Sequence, residues 1–223
     1  MHIKEIILYS PDIKTLKFFY SEILELPVYY KSENKISLAA GNSLLTFIKG
    51  SKRKRPFYHF AFNVPSDKFK EAKEWITSSG ISLISLNGED EFDFKSWNAH
   101  SIYFYDPADN IVELISRHGL KKEDTEKYYG DLILNISEIG LPVLDVKTAI
   151  EKINNISGIP FYSGDDKSFA AMGDEHGLFI IVKEGRKWFP DCHNAKVFPL
   201  TVVIQSDNNN EIVFESESYR IIT

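Results

Sequence analysis

The sequence predicts an α+β fold of tandem βαβββ modules, three complete plus a truncated fourth, pairing into curved mixed sheets around a cavity. Three observations predict it. Short runs of β-branched and large apolar residues recur in the order strand, amphipathic helix, then three strands, separated by turn-forming residues. The segment KEIILYSPDIKT, ending at Thr15, is echoed by SEIGLPVLDVKT, ending at Thr148, with glutamate, isoleucine, leucine, aspartate, lysine and threonine in register. A single copy leaves one face of a small sheet uncovered, so copies should pair, the first with the second and the third with the remnant of the fourth.

Residues 3 to 9 read as the opening strand, and Pro11-Asp12 supplies a break and a helix cap before Ile13, Leu16, Phe19 and Ile23. Three apolar runs follow, Pro27 to Tyr30, Ile36 to Ala40 and Leu44 to Ile48, divided by Ser-Glu-Asn-Lys and Gly-Asn turns. The basic run Lys49 to Arg55 reads as a solvated boundary. The order then returns. Tyr58 to Val64 forms a strand, Pro65-Ser66 a break and cap, and Phe69, Ala72, Trp75 and Ile76 one helical face closed by Ser79-Gly80. Ile81 to Leu86 is expected as a strand, followed by an acidic and aromatic insertion from Asn87 to Asn98. The stretch HSIYFYDPADNIVELIS, His100 to Ser116, is a hairpin turning at Asp106-Pro107-Ala108-Asp109-Asn110, where proline restricts one backbone angle and Asp and Asn accept tight turns.

A charged segment, Lys121 to Tyr129, precedes the third copy, whose helix carries Val146, Ala149, Ile150 and Ile153. Its strands lie near Ile159 to Tyr162, Phe169 to Met172 and Leu178 to Lys183. Val197 to Gln205 begins a fourth copy with no helix, which turns at Asp207 to Asn210 into Ile212 to Phe214 and Tyr219 to Ile222. The expected organisation is therefore residues 1–118 as two paired modules (1–50 and 56–118), a charged linker over 119–132, and residues 133–223 as the third module plus the truncated fourth.

The net charge of -6 with interspersed acids and bases provides no broad basic face, which argues against nucleic acid as a partner. Cys192 is the only cysteine, so no intramolecular disulfide forms and a cytoplasmic location is expected. The opening apolar stretch is too short for a signal-peptide core, and no run approaches a membrane span. A small-molecule ligand or substrate and a homodimer are the expected partners.

Chemistry concentrates at Glu113, a lone acid between Val112 and Leu114 on an apolar strand. Burying that carboxylate unpaired is costly, so it should meet a metal, a cation or a hydrogen-bond donor. Seven residues before the expected caps Asp12, Ser66 and Asp145 stand Glu5, His59 and Glu138, while Thr46, Glu113 and Ile180 correspond on the last strands. Alternation puts His59, Ala61 and Asn63 on one face and Phe60, Phe62 and Val64 on the other, so His59 and Glu113 point into the cavity, opposite Glu5 and Thr46.

The repeated unit and its terminal YFYDPADNIVELI resemble the vicinal oxygen chelate superfamily of glyoxalases, extradiol dioxygenases, fosfomycin resistance enzymes and bleomycin-binding proteins. The pattern DP-x-x-N-x-x-E at Asp106 to Glu113, with a first-strand His59, carries the resemblance over residues 3 to 118 and more loosely over 134 to 185. In enzymes of that superfamily these positions hold a divalent metal that binds two substrate oxygens, so the resemblance implies His59 and Glu113 as ligands. Glu5 stands where glyoxalases and dioxygenases commonly carry histidine, and Glu5, His59 and Glu113 form the expected metal set. Fe, Mn, Zn or Mg are the candidates, and one histidine with two carboxylates favours the harder ions.

Tyr103 is expected at the cavity as a stacking ring or a phenolic acid/base, with a core aromatic as the plainer reading. His100 falls on the opposite strand face, toward the rim or the helix, and His176 and His193 fall in solvated turns or loops. The second pair of modules offers only Glu138 and reads as structural, or as part of a dimer contact. Its loop Gly185 to Pro190 reads as a surface loop, with a lid over the first cavity as the alternative. Three functions remain: a metal-dependent dioxygenase or lyase acting on a small substrate with adjacent oxygens, a metal-free protein that binds an aromatic or antibiotic-like molecule, or a degenerate scaffold acting through oligomerisation.

Overall fold

The structure, a computed structural model, describes residues 1–53, 55–120, 132–191, 193–206 and 210–223, so Cys192 and most of the charged linker lie outside the described residues. The first module comprises β1 (Ile3–Ser10), α1 (Ile13–Phe18), β2 (Val28–Lys31), β3 (Lys35–Ala40) and β4 (Ser43–Lys49). The Asp12 carboxylate caps α1 by accepting the Thr15 N–H at 3.1 Å, and the helix continues as a π-helical turn over Phe19–Ile23. The second module comprises β5 (His59–Asn63), α2 (Phe69–Ser78), β6 (Phe92–Phe94), β7 (Ala99–Tyr105) and β8 (Ile111–Arg117). The third comprises β9 (Asn135–Val143), α3 (Val146–Ser157), β10 (Phe161–Gly164), β11 (Phe169–Asp174) and β12 (Gly177–Lys183). The fourth is β13 (Leu200–Ile204), β14 (Glu211–Phe214) and β15 (Tyr219–Ile222), with no helix among the described residues.

Two mixed sheets result. One runs β14-β15-β13-β1-β4-β3-β2 and the other β10-β11-β12-β9-β5-β8-β7-β6. The first module thus pairs with the fourth and the second with the third, in place of the expected pairing of first with second and third with fourth. Burial accounts for the partners. β5 and β9 are buried on both faces almost throughout, whereas β1 and β13 alternate between buried and half-exposed residues. Joining β5 to β9 and β1 to β13 puts the doubly apolar strands together at the centre of one sheet. The sheets then pack on each other, with β1 and β4 against β9.

The central hairpin forms as expected from its turn. The Asp106 carboxylate accepts the N–H groups of Ala108 (2.8 Å) and Asn110 (3.1 Å) and the Asn110 side-chain amide (2.7 Å). Tyr20 of the first module also donates to it at 2.8 Å, tying the two sheets together. Two local expectations fail. α2 starts at Phe69, and its cap position is Lys68 without a side-chain cap bond, not Ser66. Ile81 to Leu86 makes only isolated bridges, and the edge strand β6 comes from the acidic insertion, where Phe92 and Phe94 alternate with Asp93 and pair with β7.

Candidate metal centre

The centre is built by strand register. Ala61 on β5 lies beside Glu113 of β8 on one side and Glu138 of β9 on the other. His59 is two residues back and so shares the face of Ala61. A small residue between two acids leaves room for both carboxylates to turn toward the imidazole. His59 Nε2 lies 3.5 Å from Glu113 Oε2 and 4.0 Å from Glu138 Oε2. All three side chains are buried.

Each group is held by a second partner. Ser101 Oγ donates to Glu113 Oε1 at 2.6 Å, and the Arg117 guanidinium donates to Glu138 Oε1. His59 Nδ1 lies 3.3 Å from the Ile111 carbonyl, which accepts its proton and leaves Nε2 as a bare lone pair facing the carboxylates. Burial pushes His59 down to about 4, so the ring is neutral. Burial, followed by the neighbouring Glu138, raises Glu113 to about 8. Burial also raises Glu138, against the opposing pull of Arg117.

A divalent cation fits this donor set. Three ligand atoms, one from each residue, lie within 4.8 Å of one another. Glu113 Oε2, Glu138 Oε2 and His59 Nε2 face one another beyond the bonds to Ser101, Arg117 and Ile111, and a lone pair set against two carboxyl groups at this spacing calls for a proton on a carboxylate or a bound cation between them. His59, Glu113 and Glu138 would hold the ion.

The centre opens into a cavity of about 340 Å³. The insertion between α2 and β7 contributes Phe94 and Trp97 to its wall, and the loop after β12 contributes Arg186, Trp188 and Phe189. The two segments meet where the Phe189 ring stands 4.9 Å from Phe92 and 5.5 Å from Phe94. Trp188 packs with its ring 5.0 Å from His59, a contact that requires glycine at 140, because a Cβ there would come within 2.7 Å of the indole. The loop Gly185 to Pro190 therefore walls the cavity and is more than a surface loop.

Tyr103 lies opposite Glu113 across the β7–β8 pair and lines the cavity. Burial, then the charges of Glu113 and Glu138, raise its hydroxyl well above the usual phenol range. Glu5 does not join the centre. It sits in the other sheet, where it accepts a hydrogen bond from Thr46 at 2.6 Å and has Lys35 Nζ 4.0 Å away. The module pairing is the reason, since the strand beside β5 is β9 and not β1. Glu138, expected in a structural half, takes that place, and the signal that marks it is its equivalence to Glu5 and His59 on the first strands, since Ile7, Ala61 and Gly140, each two residues on, pair with Thr46, Glu113 and Ile180. Arg117, Ser101 and Trp188 had no such signal. His100 lies on the helix side, its ring 6.0 Å from Phe69 and stacked on His118, while His176 and His193 are exposed.

No protein-family model matches the sequence, and no curated protein matches it. Solved structures do. A “putative dioxygenase” from Bacillus subtilis subsp. subtilis str. 168 superposes with a TM-score of 0.66 at 14% identity, over 93% of this chain and 71% of that one. The fosfomycin resistance protein FosX of Listeria monocytogenes, solved with Mn(II) and sulfate, matches 52% of this chain and 89% of its own at 22% identity and a TM-score of 0.41. Lactoylglutathione lyase of Agrobacterium tumefaciens matches 51% of this chain and 92% of its own at 21% identity and a TM-score of 0.41. The two half-length likenesses add no weight; the likeness over nearly the whole chain establishes architecture. Among the described residues no helix is long and apolar enough to cross a membrane. What the likeness to the Bacillus subtilis protein shows is the fold, which this chain shares with it over nearly all of this chain's length.

Proposed function

We propose that the chain is a divalent-metal-dependent enzyme acting on a small substrate with two adjacent oxygens, by lyase or dioxygenase chemistry. One observation carries the reading: each buried carboxylate has one oxygen held from behind, by Ser101 or Arg117, and turns the other toward the bare Nε2 of His59. A bound divalent ion would supply Lewis-acid polarisation of the substrate oxygens. One imidazole and two carboxylates suit Mn²⁺, Fe²⁺ or Mg²⁺ better than a structural zinc.

The chain's own residues do the rest. Ser101, Arg117 and the Ile111 carbonyl orient the three ligands before anything binds. Tyr103 keeps its proton, which it shares with Glu113 and which a substrate oxygen beside Glu113 would have to compete for. Trp188, Phe94 and Phe189 exclude water and pack a planar substrate. A second reading, a metal-free pocket for an aromatic ligand, is favoured by Arg117, which already offsets the charge of Glu138.

The deciding measurement is the metal content of protein purified without chelator or histidine tag, beside His59→Ala, Glu113→Gln and Glu138→Gln. Near-stoichiometric metal in the parent, lost in all three variants, is expected. A parent that takes up no Mn²⁺, Fe²⁺ or Zn²⁺ on incubation would leave only the binding-protein reading.

A further inference from the structure

We propose that the protein carries a second metal site, on the helix side of the second sheet, in which His100 and His118 bind one divalent ion of the zinc type and Asp93 orients His100. This site is separate from the His59 centre and does not rest on the function proposed above.

Strand register builds it. His100 of β7 lies between Asp93 of β6 and Ser116 of β8, and His118 follows two residues after Ser116. Ser116 is three residues beyond Glu113, so the two point to opposite faces of the sheet, and this cluster faces α2 while Glu113 faces the aromatic cavity. His100 packs on that side with its ring 6.0 Å from Phe69, the first residue of α2. The His118 N–H donates to the Asn98 carbonyl at 2.9 Å, which folds its turn back toward the start of β7.

Two imidazole nitrogens meet there. His100 Nδ1 and His118 Nε2 are 2.9 Å apart, with ring planes inclined by 19° and centroids 4.9 Å apart. Two nitrogens at this distance repel unless something is shared between them, either one N–H donating to the other's lone pair or a metal ion accepting both. Asp93 Oδ1 lies 3.8 Å from His100 Nε2 and favours a proton on that nitrogen, which leaves Nδ1 as the lone pair. In the metal-free protein the His118 Nε2–H donates to it. Two zinc–nitrogen bonds of about 2.0–2.1 Å at a tetrahedral angle hold their nitrogens about 3.3 Å apart, so a shift of a few tenths of an ångström admits the ion. His118 supplies that shift, because it is exposed and stands in a turn, whereas His100 is held by the sheet and by Phe69. Its Nε2 proton passes to Nδ1 through solvent, so both rings ligate as neutral imidazoles.

A second observation points to the same place. The Ser116 hydroxyl is fully buried, has no hydrogen-bond partner among the described residues, and lines the cavity of about 390 Å³ onto which both histidines open. A buried hydroxyl without a partner is costly, and a water carried by the ion would supply one. Ligation by imidazole alone selects Zn²⁺, Cu²⁺ or Ni²⁺ over Mn²⁺ or Mg²⁺, the reverse of the preference at the carboxylate-rich His59 centre.

The test measures Zn²⁺ by equilibrium dialysis on His59→Ala, which lacks the imidazole of the first centre, and on the same protein with His100→Gln or His118→Gln added. We expect His59→Ala to bind zinc, and either further substitution to weaken that binding by more than about 100-fold, beyond the loss expected of an outer partner. Asp93→Asn on the same background should weaken it about tenfold. Cu²⁺ in His59→Ala should show coupling to two nitrogens in its electron paramagnetic resonance spectrum, and to one after His118→Gln. His118 is exposed in a turn, so that variant keeps the fold whatever its metal content. No zinc bound by His59→Ala, zinc binding unchanged by His118→Gln, or a Cu²⁺ spectrum that His118→Gln leaves unaltered would overturn the inference. None of these results bears on the His59 centre, whose Mn²⁺ is read in the parent protein.

Discussion

The two sheets of this protein carry the same strand register and different chemistry. In one, Ala61 is flanked by Glu113 and Glu138, with His59 two residues back; in the other, Ile7 is flanked by Thr46 and Thr201, with Glu5 two residues back. The trio Glu5, Thr46 and Thr201 has one carboxylate and two hydroxyls, and Thr46 spends its hydroxyl on Glu5. The surroundings differ as much as the residues. Glu5, Ile7, Tyr9, Thr201 and Val203 are all half-exposed, and no aromatic loop is seen over them among the described residues. Over the second sheet, the insertion before β7 and the loop after β12 close with Trp97, Trp188 and Phe189. A shared backbone therefore sets where side chains converge, and the loops decide whether that place is dry enough for charge to matter.

The most direct way to break this comparison is metal binding. His59→Ala and Glu138→Gln should each weaken Mn²⁺ affinity on the order of 100-fold or more, while Glu5→Gln and Thr46→Val leave it unchanged in equilibrium dialysis. A loss in Glu5→Gln would mean that the two sheets are not chemically distinct. Stability should separate them next. Arg117→Met leaves Glu138 buried without its cation and should cost about 3–5 kcal/mol in urea unfolding. Lys35→Met, beside the half-exposed Glu5, should cost less than about 1 kcal/mol.

Titration gives a smaller effect, in metal-free protein. Glu113 has its pKa raised from 4.5 to about 8, so its contribution is fully present below the lower value and lost as pH rises through the higher one. His59 is lowered from 6.5 to about 4, so its contribution is lost as pH falls through that range. The two oppose each other at acid pH, and between about 6.5 and 8 only the loss from Glu113 remains. Unfolding stability should fall by about 1–2 kcal/mol across that window, and Glu113→Gln should flatten the slope. The smallest expected effect concerns the helices. Asp12 and Asp145 cap α1 and α3, while Lys68 gives α2 no side-chain cap and pairs with Glu71 at 3.0 Å, so Lys68→Asp, which gains a cap and gives up that exposed pair, should add no more than about 0.5 kcal/mol by thermal unfolding.

Much of the architecture was legible because it is local. The Asp106 turn, the alternation of His59, Ala61 and Asn63, the caps at Asp12 and Asp145, and the equivalence of Glu5, His59 and Glu138 all rest on contacts within a few residues. The same locality misled at Ser66, where a plausible cap lies three residues short of the helix, and at Ile81 to Leu86, where apolar residues pack without joining the sheet. His59 and Glu113 were legible as site residues because a histidine and an acid on apolar strands demand a partner. Arg117, the last residue of its strand, was not, because nothing nearby in sequence reveals that it is buried against Glu138, 21 residues away.

By itself the sequence determined the repeated strand-helix-strand order, the direction each strand side chain points, and the equivalent strand positions at which Glu5, His59 and Glu138 stand. Tertiary structure alone decided which modules share a sheet, and with that whether Glu5 or Glu138 stands beside His59. The physical reason is that side-chain direction follows from the backbone's own period, whereas the choice of neighbour depends on burying both faces of β5 and β9 against partners far along the chain, and no local pattern encodes that competition.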